Sequence, residues 1–299
     1  MTASDTFKLF ILRHGQSELN HENIFCGWID AKLTEKGKAQ ARNAAQLIKE
    51  YARSNASPIP QIAYTSRLAR TKQTTEVMLQ EFGLVGDYHV VTGCSDIPAL
   101  TRPTASRHVP VLQTWRLNER HYGSWQGQRK PNVLKEYGKE QYMFIRRDYQ
   151  GKPPSADLSR EMEQEENDQG PLTGYDFKEP NRHVKYGREE AHGEPLPNSE
   201  SLHDVVRRLQ PFLEGVILKD LQERQSSLIV GHGSSVRSIL KILEGISDEA
   251  IKDVDIPNAI PLVVELDRST GRFVRKLYLD PESAKVNAAR VRNEGFEKL

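Results

Sequence analysis

Two histidines stand at matching places in the chain. His14 follows the apolar run 7–12 and Arg13 and precedes Gly15; His232 follows the apolar residues 228–230 and Gly231 and precedes Gly233. A neutral imidazole is a nucleophile near pH 7 once its other nitrogen is tied to an acceptor. A guanidinium beside it matches the oxygens of a phosphoryl group in bidentate fashion. Phosphoryl transfer asks for a nucleophile, cations on the equatorial oxygens and a proton for the leaving oxygen. Arg13 and His14 can supply the first two, and Gly233, opening a helix, can aim backbone N–H groups at the same oxygens.

Such residues need elements to bring them together. The runs before both histidines read as buried strands, and in an open parallel sheet ligands bind beyond the carboxyl ends of the strands. If the two strands are neighbours, His14 and His232 share one pocket. A helix opens at Leu33 with Thr34 as its cap and buries Ala41, Ala45 and Ile48. A strand at 61–65 and a helix at 66–82, with Leu68, Val77 and Leu79 buried, follow. Strand–helix–strand–helix order calls for right-handed crossovers, so the predicted class is α/β: a doubly wound, mostly parallel sheet flanked by helices, in one domain spanning 1–299. The order continues with a strand at 111–115, helices at 133–147 and 202–218, a strand at 228–230, a helix at 236–243, a strand at 261–266 and a helical tail at 281–299. Proline, glycine and polar residues predict irregular insertions at about 84–110 and 150–198. The run Glu161, Glu163, Glu165 and Glu166 reads as a solvated face.

Composition excludes several classes. The net charge is +1 at pH 7, which leaves no basic excess for nucleic acid. The two cysteines, Cys26 and Cys94, form neither a disulfide framework nor a metal clip, which fits a reducing compartment. No apolar stretch approaches the ~20 residues of a membrane span, and no signal peptide precedes the first strand, so the expected location is the cytoplasm.

The run Arg13-His14-Gly15, followed by Ser17 and Asn20, resembles the phosphate-binding signature of the histidine phosphatase superfamily. The details resemble its cofactor-dependent phosphoglycerate mutases most closely, over nearly the whole chain outside the two irregular stretches. The resemblance implies that His14 carries the phosphoryl group, with Arg13, Ser17 and Asn20 as phosphate contacts. It implies the same for Arg70, in Ser66-x-Leu68-x-Arg70-x-x-x-Thr74. His232 matches the second histidine, which stabilises the group in transfer, and Glu119 matches the acid–base carboxylate. Arg120, Tyr122, Lys130, Arg146 and Arg147 match residues gripping the substrate's carboxylate and second phosphate. Cys26 and Gly27 sit where mutases touch substrate with their backbone, and Gly233 and Ser234 line the same site. Trp28, Trp115, Trp125 and His121 read as packing residues.

The implied reaction is interconversion of 2- and 3-phosphoglycerate, primed by 2,3-bisphosphoglycerate and without a metal. The partner is a small phosphorylated three-carbon acid, with no nucleic acid or membrane, and a homodimer or homotetramer is expected by analogy. Four positions depart from the mutase pattern: Leu19 for tryptophan, Trp125 for leucine, Lys72 at a usually apolar place, and Ser234 for the asparagine after the second His-Gly. Serine there could merely cap the helix opening at Val236. Two other readings therefore stay open: a phosphatase of small metabolites using the same site, and a binding or regulatory protein of low turnover.

Overall fold

The apolar run before His14 forms β1 (Thr6–Arg13), buried along its whole length. It lies in a computed structural model of the chain that describes residues 6–94, 96–97, 107–159, 179 and 182–296. Ser17 then caps a single turn, α1 (Glu18–His21). Thr34 accepts the Gly37 N–H and opens α2 (Glu35–Ser54), which buries Ala41, Ala45 and Ile48. Next come β2 (Ala63–Thr65) and α3 (Ala69–Phe82), closed by Gly83 in the left-handed region at φ 73°. Leu68 and Leu79 are buried as expected, whereas Val77 is only partly so.

The expected insertion at about 84–110 is corrected by two strands. β3 (Val85–Val90) and β4 (His108–Gln113) pair in parallel. The strand expected at 111–115 therefore begins three residues earlier, and Trp115–Leu117 is instead a 3₁₀ turn. α4 (Lys130–Arg147) bends at Gly138, whose φ of 74° leaves the helical region. Within the second irregular stretch lies α5 (Arg182–Ala191). The glutamate run 161–166 lies outside the described residues. α6 (Leu202–Phe212) passes through a π-helical turn (Leu213–Ile217) into α7 (Leu218–Arg224).

β5 (Ser226–Gly231) leads into α8 (Gly233–Glu244), three residues earlier than the apolar periodicity suggests. β6 (Leu262–Asp267), β7 (Phe273–Tyr278) and α9 (Pro281–Asn293) follow. Among the described residues the strands form one sheet in the order β3-β4-β2-β5-β1-β6-β7. β1 to β5 pair in parallel, while β6 runs antiparallel to both β1 and β7. One apolar cluster, with Phe212, Ile217 and Ile239, covers one face, and another, with Ala41, Ala45 and Ile48, covers the other. The sheet is thus mixed and flanked by helices on both faces. No described helix is long and apolar enough to cross a membrane.

Candidate active site

β1 and β5 are adjacent and in register, Arg13 opposite Gly231, so the two His-Gly pairs leave the sheet side by side. The His14 N–H donates to Gly231 O at 3.0 Å, tying one strand end to the other. Gly15 must be glycine: a Cβ there would lie 2.3 Å from Gly37 O, where α2 crosses the turn. The imidazole rings of His14 and His232 stand 5.0 Å apart at 64°, both buried.

The His14 Nδ1 lies 2.7 Å from Gly15 O. A carbonyl only accepts, so Nδ1 carries the proton and Nε2 keeps its lone pair. Arg70 Nε donates to that Nε2 at 3.2 Å, while its Nη1 and Nη2 bind Ile29 O (2.9 Å) and Gly27 O (2.7 Å). Burial, then Arg70 and Arg13, push the His14 pKa well below the ordinary histidine value. Burial, then Arg70, do the same to His232, whose Nε2 lies 2.8 Å from Ser66 Oγ. Both rings are therefore neutral at pH 7. Arg13 binds Ile256 O through Nη1 at 2.9 Å, and its buried Nε has no partner among the described residues.

Glu119 lies beside Gly233, close to Arg13. Its Oε1 accepts the N–H groups of Arg120 (2.7 Å) and Ser234 (3.1 Å). Ser234 is thus in the first turn of α8 and contributes its backbone. The expectation that its hydroxyl caps a helix opening at Val236 is corrected: His232 precedes the first turn, and its N–H donates to Ser235 Oγ at 2.8 Å.

The pocket is lined by Arg13, His14, Asn20, Cys26, Gly27 and Arg70, together with Glu119, Tyr122, Lys130, Arg146, Arg147, Gly233 and Ser234. Three sequence candidates do not line it. His232 packs against His14, ring centroids 5.0 Å apart. Ser17 is buried and bound to Asn20, its hydroxyl 3.0 Å from Asn20 Oδ1. Arg120 turns away, donating to Ile145 O and Arg146 O, both at 2.9 Å, and so fastens the end of α4. Arg147 lines the pocket but is held by Asp255 at 2.7 Å and by Lys252 O.

Two charged lining residues were not anticipated. Arg237 is buried on α8, one turn after Ser234; burial, with Arg147 and Arg120 nearby, lowers its pKa to about 9. Glu294, just past α9, places its carboxylate against Lys130 and, at 3.2 Å, Arg146. Burial alone would raise its pKa, but Lys130, Arg146 and Arg13 outweigh that and hold it at about 2. The i, i+3 and i, i+4 spacing of Arg237 from Ser234 and Gly233 could have signalled the first; a tail residue so far along the chain carries no such mark.

Of the four positions that depart from the mutase pattern, Leu19 and Trp125 are packing residues. Leu19 is fully buried with Ile24, Cys26, Ile29 and Ala31, and Lys72 is exposed. Trp125 packs with Phe25, Val133 and Tyr142. Trp28, Trp115 and His121 are buried too, and Trp28 Nε1 also donates to Glu119 O at 2.8 Å. No group of three or more His, Cys, Asp or Glu side chains among the described residues is placed to hold a metal.

Residues 9–92 and 156–277 match the family described as histidine phosphatase superfamily (branch 1). The chain is similar to phosphoglycerate mutase 3 of Saccharomyces cerevisiae, 67% identical over 100% of this chain and 99% of that protein. It is 37% identical to the 2,3-bisphosphoglycerate-dependent phosphoglycerate mutase of Nocardia farcinica, over 97% of this chain and 99% of that one. In fold it resembles a crystal structure of phosphoglycerate mutase from Bacillus anthracis, with a TM-score of 0.55 and 15% identity over 98% of both chains.

Proposed function

The chain belongs to the histidine phosphatase superfamily, among its phosphoglycerate mutases, and we propose that it interconverts 2- and 3-phosphoglycerate through a phosphoryl group carried on His14. The observation that carries the reading is Glu294. An acid's carboxylate already rests between Lys130 and Arg146, in the pocket that also holds His14. A second anion can be gripped there while a phosphoryl group meets the imidazole, which a mutase needs and a simple phosphatase does not.

In this reading His14 attacks through Nε2, since its Nδ1 proton is held by Gly15 O. Arg70 and Arg13 neutralise the equatorial oxygens, with the buried Nε of Arg13, which has no partner among the described residues, as a ready donor. Glu119, held by two backbone N–H groups, gives a proton to the leaving ester oxygen and takes one from the incoming hydroxyl. Lys130 and Arg146 exchange Glu294 for the distal anion of the substrate. The same residues suit 2,3-bisphosphoglycerate: Arg13 and Arg70 would hold one phosphate, and Lys130 and Arg146 the other. When bound, it supplies the phosphoryl group that first loads His14. The chain acts as one domain in the cytoplasm, with a small phosphorylated three-carbon acid as its partner.

The test is an assay of the purified protein with 3-phosphoglycerate, with and without trace 2,3-bisphosphoglycerate, following 2-phosphoglycerate and free phosphate together. Production of 2-phosphoglycerate that depends on the bisphosphate supports the reading. Free phosphate as the main product would assign a phosphatase instead.

A further inference from the structure

We propose that Glu179 is a positioning residue: its carboxylate, outside the pocket, orients the Gln126 amide, which sets the Gly27–Trp28 peptide and thereby holds Arg70 against His14. This rests on the reading of the pocket as a phosphoryl-transfer site. Glu179 is 4% exposed and belongs to the second irregular stretch of the chain. Its Oε1 contacts His121 Nε2 and accepts from Gln126 Nε2 at 3.2 Å, and its Oε2 contacts Arg182 Nη1. The His121 contact has one polarity: Gly123 N–H donates to His121 Nδ1 at 3.0 Å, so the proton sits on Nε2 and points at Glu179.

A carboxylate only accepts, so Gln126 must turn its NH2 toward Glu179. The other end of the amide, Oε1, then faces the Trp28 N–H and accepts it at 2.8 Å. That N–H and the Gly27 carbonyl belong to one planar trans peptide unit and point in opposite directions. Fixing the N–H therefore aims the carbonyl, which receives Arg70 Nη2 at 2.7 Å. Arg70 Nε in turn sits 3.2 Å from the nucleophilic nitrogen. Gly27 is needed for the fit, because its φ is +50° and a Cβ would fall 2.0 Å from Gln126 Oε1. Among the described residues the Gln126 amide is the grip on this peptide's N–H, and Glu179 decides which end of the amide supplies it.

Orthovanadate, which mimics a phosphoryl group in transfer, reports the placement of Arg70 without requiring turnover. Glu179→Gln keeps the volume but offers one acceptor oxygen to three donors, and Gln126→Met keeps the length without an acceptor. Each should bind vanadate about 10–100-fold more weakly than the parent, and His14 phosphorylation should slow by a similar factor. KM for 3-phosphoglycerate should move less than about twofold, because the distal cations are untouched. Glu265→Gln, which removes a buried carboxylate paired with Lys8 in β1, should lower stability and leave vanadate affinity unchanged. Glu179→Gln or Gln126→Met binding vanadate like the parent would overturn the proposal. If Glu179→Gln does not fold, Gln126→Met decides alone. A parent that binds vanadate yet never phosphorylates His14 would refute the mutase reading and leave the vanadate comparison standing.

Discussion

His14 and His232 face each other edge to plane, ring centroids 5.0 Å apart, because the strands that deliver them are parallel neighbours in register. Both rings are buried and both have pKa values well below 6.5. In the unfolded chain they titrate near 6.5, so below that pH the unfolded state binds protons that the folded state does not. Stability is therefore fully present above about pH 6.5 and falls on acidification toward the folded pKa values, by up to ~1.4 kcal/mol per pH unit for each ring. Urea unfolding between pH 7 and pH 5.5 should show this slope, and a His14→Gln/His232→Gln double variant should flatten it. An equally steep slope in the double variant would assign the protons elsewhere.

Glu119→Gln keeps both accepted N–H contacts within reach of its remaining oxygen but cannot exchange a proton. Turnover should fall by ~10²–10⁴, the usual contribution of a general acid–base group. Binding of 3-phosphoglycerate, measured by calorimetry, should persist. Unchanged turnover would leave Glu119 a structural role, as the anchor of Ser234.

The cap of α8 separates two neighbouring serines. Ser235 Oγ accepts the His232 N–H at 2.8 Å, whereas Ser234 contributes only its backbone N–H to Glu119. Ser235→Ala should cost about 1 kcal/mol in denaturant unfolding and Ser234→Ala less than about 0.5 kcal/mol. The reverse ranking would restore the cap to Ser234.

Much of this was written in the sequence, and the gaps have physical causes. β1 and β5 are buried on both faces, so they read as continuous apolar runs ending at His-Gly. β3 does not, because it lies at the sheet edge, largely exposed, with Gly86 and Asp87 inside it. β7, at the other edge, carries Arg275 and Lys276 and gave no strand signal either. The first turn of α8 is Gly-Ser-Ser, polar and without periodicity, which hid its true start. The meeting of Lys130 and Glu294 spans 164 positions, and no local pattern can announce such a pair.

That pair yields its own prediction. Glu294 competes with the substrate's distal anion for Lys130 and Arg146, while its backbone carbonyl stays bound to Tyr142 Oη at 3.2 Å. Glu294→Gln removes the charge and keeps that anchor, so KM for 3-phosphoglycerate should fall roughly three- to tenfold, about 0.7–1.4 kcal/mol. A raised KM would mean that the carboxylate orders the cations for the substrate instead of competing with it.

The central claim is that His14 carries the phosphoryl group, and it can be tested without turnover. The purified protein is incubated with 2,3-bisphosphoglycerate, quenched in base and digested, and the phosphorylated peptide is located by mass spectrometry. The account predicts an acid-labile phosphoryl group on His14, absent from His14→Ala. A parent that takes up no label, or a His14→Ala protein labelled as fully as the parent, would contradict it.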